Sequence, residues 1–338
     1  MDAAIIGMGS MGRRHAKVVR MLGLQLVGIC DKDPEALQAA CQQCDIPRER
    51  CYTEAGELLS ATHPECVIIA TTAPTHSFYT CLATEAGSRY ILCEKPMAIS
   101  LRECDRMLDV CRARGVRLAV NHQMRYMDHY CEPKRIIQSD EFGGLSSVTV
   151  VSGNFGMATN GLHYFEMFRY MTEEGPRQVT AWLEPRGAPD PRGKDFEDRA
   201  GSIRVETSNG KRLYMEIGAD QGHGIKVIYA GPYGQLVVDE LTGTMHLSVR
   251  DDQDRRAPSV RYALPGKECV LQVNPTETVK SSARVLDALI NGGGFPSGED
   301  ARSAVAVLVA AYVSDERGSL PIVVEEQALP IDRTFPWS

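Results

Sequence analysis

The chain has 338 residues, 43% of them apolar and 24% charged, which is typical of a globular protein with room for two domains. Its formal net charge of −7 argues against a nucleic-acid-binding surface, and no apolar run is long enough to span a membrane. The chain begins directly with an apolar segment and lacks the pattern of a secretory leader, so we expect a cytoplasmic protein.

The first 120 residues alternate short apolar runs with segments of helical length. The apolar runs predict strands at Ala3–Ile6, Gln25–Cys30, Cys66–Ala70, Tyr90–Cys93 and Arg117–Val120. The intervening segments predict helices at Gly12–Leu22, Pro34–Cys44, Thr75–Ala86 and Leu101–Arg114. Continuous Val/Ile runs are typical of parallel strands, and alternation of strand and helix produces a doubly wound sheet. We therefore expect an α/β protein with an N-terminal Rossmann domain over residues 1–121.

After residue 143 the pattern changes to short strands separated by turn residues. These strands are predicted at Ser146–Val151, Val179–Leu183, Ser202–Thr207, Arg212–Ile217, Lys226–Tyr229, Gln235–Val238 and Met245–Val249. Helical patterns lie at Leu162–Met171, Thr276–Ile290 and Glu299–Asp315. We expect an α+β domain over residues 122–338, built on a large, mainly antiparallel sheet. Whether the tail at Ser319–Val324 returns to the first domain stays open.

Eleven cysteines raise the question of a metal site or of disulfides. Cys41 and Cys44 form a Cys-x-x-Cys pair, but no second pair or histidine cluster follows at zinc-ligand spacing. Most of the others lie in apolar patterns, where cysteine acts as a small hydrophobic residue. We therefore expect reduced thiols and no metal.

A glycine-rich turn follows the first predicted strand. The segment Gly7-Met8-Gly9-Ser10-Met11-Gly12 matches Gly-x-Gly-x-x-Gly, with a strand before it and a helix after it. The first glycine permits a tight turn, the second lets the backbone approach a pyrophosphate, and the third allows close packing of the helix. The helix N-terminus offers N–H groups to the phosphates. We expect this loop, with Ser10 and Met11, to bind a dinucleotide.

Asp31 ends the second predicted strand, about 20 residues after Gly12. This spacing suits a carboxylate that binds the adenosine ribose hydroxyls, and its charge favours NAD over NADP. Lys32 follows directly, and Arg13 and Arg14 lie at the start of the first helix. Because any of these cations is a suitable partner for a 2′-phosphate, NAD is preferred and NADP stays open.

Three segments together resemble the Gfo/Idh/MocA oxidoreductases, the family of glucose–fructose oxidoreductase and inositol dehydrogenase. They are Gly7–Gly12 with His15, Val67–Thr71 with Pro74 and His76, and Glu94-Lys95-Pro96. The resemblance implies an NAD(P)-dependent enzyme acting on a sugar, sugar derivative or cyclitol, and a homodimer or homotetramer packed through open sheet faces. It places Thr71, His76 and Glu94 on the cofactor side. From the resemblance, we expect a cis and a trans Lys95–Pro96 peptide bond about equally.

Lys95 and His163 are the catalytic candidates. Lys95 follows a predicted parallel strand, at the edge of the sheet where ligands bind, and is suited to hydrogen-bond a substrate hydroxyl. A positively charged nicotinamide nearby would favour its neutral amine, and the resemblance makes this lysine catalytic. A histidine at position 163 suits transfer of the hydroxyl proton while hydride leaves the carbon.

The segment before His163 departs from the family pattern. Thr159-Asn160-Gly161-Leu162-His163 stands where the family has Asp-x-Gly-x-His, so Thr159 replaces a carboxylate. A threonine hydroxyl orients an imidazole but brings no charge. Glu166 lies one helical turn after His163 and is either a substitute acid or a solvated charge.

Polar residues after the strand at Arg117–Val120 are further ligand candidates. They are Asn121, His122, Arg125 and Tyr126. Arg125 is suited to a carboxylate or phosphate group, although each residue taken singly favours a structural role. We place Arg125 and Tyr126 on the substrate side, together with Thr159 and Asn160.

Three functions fit these features. The leading one is a sugar or cyclitol dehydrogenase or reductase. A second keeps NAD tightly bound and uses transient oxidation for elimination or glycoside cleavage. A third is a non-catalytic NAD-binding regulatory protein. Lys95 and His163 argue against this function, whereas Thr159, in place of the family's Asp, is consistent with it.

Overall fold

The computed structural model describes the chain except residues 154, 186–187, 190–192, 219, 256, 259–265 and 275, and the side chains of 188, 189 and 326. The chain divides into two compact units. The first contains residues 1–123, 277–305 and 330–338, and the second contains residues 124–276 and 306–329. This division differs from the single boundary expected at residue 121, because the helix Thr278–Asn291 packs against the helix Ser10–Met21 in the first unit.

The first unit contains a parallel sheet of six strands within residues 1–123, all of which are described. The strands are β1 (Asp2–Ile6), β2 (Gln25–Cys30), β3 (Cys51–Tyr52), β4 (Cys66–Ile69), β5 (Tyr90–Cys93) and β6 (Arg117–Val120). Their order is β3-β2-β1-β4-β5-β6, so the strand order reverses between β1 and β4, the place where such sheets bind ligands. The doubly wound parallel sheet predicted from the sequence is confirmed.

Local sequence signals mark the ends of some of the helices. Those of the described residues are α1 (Ser10–Met21), α2 (Pro34–Cys44), α3 (Ala55–Thr62), α4 (His76–Glu85), α5 (Leu101–Arg114), α6 (Asp128–Ile137), α7 (Leu162–Thr172), α8 (Thr278–Asn291) and α9 (Gly298–Glu316). Asp33 caps α2 by accepting the Glu35 N–H, and Ser100 caps α5 by accepting the Glu103 N–H. Gly115 ends α5 at a φ of +66°.

The second unit is built on a mixed sheet that comprises nine strands among the described residues. They are β7 (Ser147–Gly153), β8 (Pro176–Leu183), β11 (Gly201–Thr207), β12 (Arg212–Gly218), β13 (Lys226–Ala230), β14 (Gly234–Asp239), β15 (Thr244–Val249), β16 (Lys267–Gln272) and β17 (Ile322–Val323). Between β8 and β11, β9 (Ala188–Pro189) and β10 (Glu197–Asp198) form a separate antiparallel pair. The order is β16-β15-β14-β13-β7-β12-β11-β8-β17, in which β7 and β12 are parallel and the other neighbours antiparallel.

The C-terminal tail separates into two parts. β17 pairs with β8, so the segment at Ser319–Val324 adds a strand to the second unit and does not return to the first. Residues 330–338 do belong to the first unit, where the Phe335 N–H donates to the Ile99 carbonyl and Trp337 is fully buried.

The large sheet has one buried and one open face. Along β11 and β12, Val205, Leu213 and Met215 are buried, and the residues between them are more exposed. Trp182 and Tyr214 are 56% and 39% exposed. The alternation therefore leaves an open face that carries two large aromatic side chains.

All eleven cysteines are described residues, and they carry free thiols. Cys41 Sγ lies 2.9 Å from Cys51 Sγ, and burial raises the pKa of Cys51 to about 12. The described residues contain no cluster of three or more His, Cys, Asp or Glu side chains arranged to hold a metal ion. Among the same residues, no helix has the length and apolar character needed to cross a membrane.

Candidate active site

The loop between β1 and α1 requires two of its glycines for different steric reasons. Gly7 has a φ of +95°, and a Cβ there would lie 2.6 Å from the Ala70 carbonyl. A Cβ on Gly12 would lie 1.9 Å from the Gly7 oxygen. Gly9, by contrast, would place a Cβ in open space, so its backbone is approachable from outside. This geometry fits a pyrophosphate beside the N-terminus of α1, where Ser10 and Met11 are the first helical residues.

Asp31, directly after β2, is hydrogen-bonded to the glycine-rich loop. Its Oδ2 accepts the Met8 N–H at 2.6 Å, and its Oδ1 accepts the Asp33 N–H at 3.0 Å. Carboxylate oxygens have further acceptor positions, so these bonds leave capacity for ribose hydroxyls. Arg13 donates to the Met8 carbonyl at 2.9 Å, while Lys32 is exposed at the neighbouring position.

We expect Asp31→Ala to weaken NAD binding by about ten- to hundred-fold and NADP binding much less, because the lost partner is a charged acceptor for ribose hydroxyls. Fluorescence titration of the purified protein with both dinucleotides measures the difference. Asp33→Ala is the matched control, since Asp33 caps α2 and should change neither affinity. A native preference for NADP that Asp31→Ala leaves unaltered would contradict the assignment.

His76 links the ends of two neighbouring strands. The buried ring places Nδ1 2.8 Å from the Pro96 carbonyl and Nε2 3.2 Å from the Thr71 carbonyl. Burial lowers its pKa, against the opposing effect of these two carbonyls. The Lys95–Pro96 bond in this turn is cis. The contacts indicate that His76 positions the turn after β5 relative to Thr71.

A buried carboxylate lies directly before Lys95. Glu94 Oε1 is 2.7 Å from His15 Nε2 and accepts from Asn121 Nδ2 at 2.8 Å, and Asn121 Nδ2 also contacts Ser282 Oγ at 3.2 Å. Burial raises the Glu94 pKa, but contacts with His15 and Asn121 and the charge of Lys95 outweigh it and bring the pKa to about 2. An ionised, anchored Glu94 therefore fixes the strand end that carries the half-buried Lys95.

Asn121 was a ligand candidate, but its side chain is fully buried and bonded to Glu94. His15 is likewise fully buried. The sequence points to His15 as part of the motif around Gly7–Gly12 and to Asn121 as a polar residue that follows a strand. The structure assigns them to the support of the Lys95 strand end.

The second unit contains the other catalytic candidate. His163 is the second residue of α7 and is buried, with 5% of its surface exposed. Residues Met157–Gly161 form a π-helical turn that leads into α7, in which Thr159 is half-buried and Asn160 exposed. The turn was not predicted, and π-helical turns are frequent at functional sites.

Arg125 and Glu166 form a buried ion pair in this unit. Their side chains are 5% and 2% exposed, with Arg125 Nη2 donating to Glu166 Oε1. The guanidinium also lies 4.5 Å from the centre of the Tyr170 ring. Because each charge compensates the other, the geometry favours structural roles for both residues over anion binding by Arg125 or support of His163 by Glu166.

A buried acid that the sequence analysis missed lies beside α7. Tyr164 donates its hydroxyl to Glu240 Oε2 at 2.9 Å, and His129 Nε2 lies 3.9 Å from the same oxygen. Burial raises the pKa of Glu240 to about 7, although hydrogen bonds from Tyr164 and Tyr130 oppose the rise. Burial also lowers the pKa of His129 to about 4. These side chains are far apart in the sequence, and no motif connects them.

We expect Glu240→Gln to increase stability above neutral pH. A carboxyl whose pKa rises from its ordinary 4.5 to about 7 stabilises the fold at low pH and loses that effect as pH rises through this window. Between about pH 5 and about pH 8, the free energy of unfolding of the native protein should fall by on the order of 2–3 kcal/mol relative to that of the variant. Urea unfolding at both pH values measures this, and an equal difference at both would contradict the expectation.

Comparisons with known proteins show what the chain is similar to. Residues 1–122 match the profile of GFO_IDH_MocA, an oxidoreductase family with an NAD-binding Rossmann fold. D-apiose dehydrogenase of Paraburkholderia graminis is 28% identical over 93% of this chain and 88% of its own length. Inositol 2-dehydrogenase of Salmonella typhimurium is 29% identical over 42% of this chain and 43% of its own length.

A solved structure extends the likeness to the second unit. Levoglucosan dehydrogenase, in complex with NADH and levoglucosan, matches with a TM-score of 0.80 at 18% identity, over 96% of this chain and 100% of that chain. At this identity the match concerns the fold. The match to the Gfo/Idh/MocA family model covers residues 1–122, which contain the glycine-rich loop, Asp31 and the Glu94-Lys95-Pro96 turn.

Proposed function

We propose that the protein is an NAD(P)-dependent oxidoreductase, with NAD preferred, that transfers a hydride between nicotinamide and a hydroxyl-bearing carbon of a sugar, sugar derivative or cyclitol. The observation that carries the proposal is the shared sheet edge of the first unit. The glycine-rich loop follows β1 and Lys95 follows β5, and the carboxyl ends of parallel strands meet at one edge. D-apiose and inositol, named in two relatives, are a sugar and a cyclitol.

The first unit fits a dinucleotide on its own geometry. Gly9 leaves the backbone open where a pyrophosphate would approach, and Asp31 keeps acceptor capacity for a ribose. We assign Gly7, Gly9, Ser10, Met11, Gly12, Asp31, Lys32 and Thr71 to this binding surface. The nicotinamide, when bound, supplies the hydride acceptor or donor.

The chain's own residues supply the proton chemistry. The Lys95 amine holds the substrate hydroxyl oxygen and exchanges its proton, because alcohol oxidation releases a proton to a base within hydrogen-bond reach. Glu94 fixes the strand end through its contacts with His15 and Asn121. His163 is the second proton carrier, with Tyr126, Thr159 and Asn160 on the substrate side.

Purified protein supplied with NAD⁺ and a panel of aldoses and cyclitols tests this proposal through the absorbance of reduced nicotinamide. Turnover with at least one polyol supports it. Dinucleotide released only by denaturation, without net reduction, would instead support transient oxidation in elimination or glycoside cleavage. Binding without any turnover would support a regulatory protein.

We also propose that the protein works in the cytoplasm as a homodimer or homotetramer. The open sheet face with Trp182 and Tyr214 is the surface suited to self-association, since exposed aromatic side chains are enriched in interfaces. Sedimentation velocity distinguishes these assemblies from a monomer.

A further inference from the structure

The turn that precedes His163 is capped by a residue from another segment. Asp198, at the end of β10, accepts the Ala158 N–H through Oδ1 and the Thr159 N–H through Oδ2, both at 2.7 Å. The next residue, Arg199, accepts the Met157 N–H through its carbonyl at 3.0 Å. Three consecutive N–H groups at the start of the helical segment are therefore satisfied by a stretch about 40 residues away.

The chain leaves space for this carboxylate. Asp198 is buried, with 6% of its surface exposed. A Cβ on Gly156 would lie 1.9 Å from Asp198 Cγ, so only glycine permits the approach. Gly156 and Gly161, which precede the π-helical turn and α7, offer no capping side chain of their own.

We propose that Asp198 is a positioning residue for His163, an inference that rests on the proposed function. His163 follows Thr159 by four residues, about one helical turn, so the amides held by Asp198 fix the backbone that carries the imidazole. Thr159 brings no charge to this turn. Asp198 brings a negative charge to its N-terminal end, where it interacts favourably with the helix dipole.

Asp198→Asn tests the assignment, because asparagine keeps the size but turns one acceptor into a donor that faces an N–H group. We expect kcat to fall on the order of 10–10²-fold, as a small misplacement of a proton carrier does. The KM for NAD should stay within about two-fold, since the nucleotide loop lies in the first unit. In a His163→Ala background the same substitution should add no further loss, because it acts through His163.

Asp239→Asn is the matched control. Asp239 Oδ1 likewise accepts two consecutive N–H groups, those of Leu241 and Thr242, in a turn after β14. This variant should leave kcat unchanged. If the losses in kcat from Asp198→Asn and His163→Ala add fully in the double variant, the positioning role of Asp198 is overturned and a general structural role is indicated.

Amide hydrogen exchange provides a readout that needs no substrate. In the native protein the Ala158 and Thr159 amides should be protected, and Asp198→Asn should speed their exchange by at least about ten-fold. Unprotected amides in the native protein would overturn the inference even if the variant fails to fold. Protected amides in a protein without turnover would contradict the proposed function and leave the cap in place.

Discussion

Replacing Lys95 with alanine is expected to lower turnover by on the order of 10²–10⁴-fold, the usual loss when a positioned acid–base group is removed. Lys95 follows β5 at the ligand-binding edge of the sheet, and Glu94 anchors that strand end through His15 and Asn121. The glycine-rich loop and Asp31 are untouched, so NAD affinity should stay within a few-fold. Steady-state kinetics and a binding titration measure the two effects.

His163→Ala should lower turnover less than Lys95→Ala does. Thr159 gives the imidazole no carboxylate, and Asp198 bonds backbone amides in that turn. Lys17→Ala, at an exposed position of α1, is the control for loss of a lysine and should be neutral. Comparable losses at Lys95 and His163, with an unchanged pH profile in Thr159→Asp, would show that His163 is a full partner and that Thr159 is a neutral replacement.

Glu94→Gln is expected to lower the free energy of unfolding by about 2–3 kcal/mol, because a buried carboxylate in hydrogen-bond contact with His15 and Asn121 is lost. Glu94 is 5% exposed and holds both His15 and Asn121. Its pKa of about 2, against an ordinary 4.5, means that its stabilising effect is complete above pH 4.5 and is lost as pH falls through about 2. Urea unfolding near neutral pH measures the loss.

Glu65→Gln is the control for the loss of a glutamate charge. Glu65 and Arg89 form an exposed pair at 3.7 Å, with side chains 45% and 68% exposed, so its removal should cost at most about 1 kcal/mol. If Glu94→Gln lowers the free energy of unfolding no more than Glu65→Gln does, the role assigned to the buried contacts of Glu94 is contradicted.

Local signals made much of the fold predictable. The predicted bounds of α2 and α5 agree with the structure, where Asp33 and Ser100 cap the starts of these helices. β3 was missed because two residues show no periodicity. α6 was missed because it contains Pro133 and buries His129 and Tyr130, so its inner face does not read as an apolar stripe.

The candidate site was predictable only where its chemistry is contiguous in the sequence. Gly7–Gly12 forms a motif within six residues, and the contact that requires glycine at position 12 lies within that motif. The partners His15 and Glu94 are 79 residues apart, and Asp198 and Ala158 are 40 residues apart. These contacts depend on which strand ends and turns the tertiary fold brings together, and no single-sequence spacing encodes that.

The transfer of deuterium from a labelled polyol to the nicotinamide tests the central claim most directly. The purified protein is supplied with NAD⁺ and the best polyol of the panel, deuterated at the carbon that is oxidised, and the reduced dinucleotide is analysed by mass spectrometry. Direct hydride transfer predicts that the reduced nicotinamide carries the deuterium and that Lys95→Ala forms it far more slowly. Reduced nicotinamide without deuterium, or no reduction by any polyol, would contradict the account.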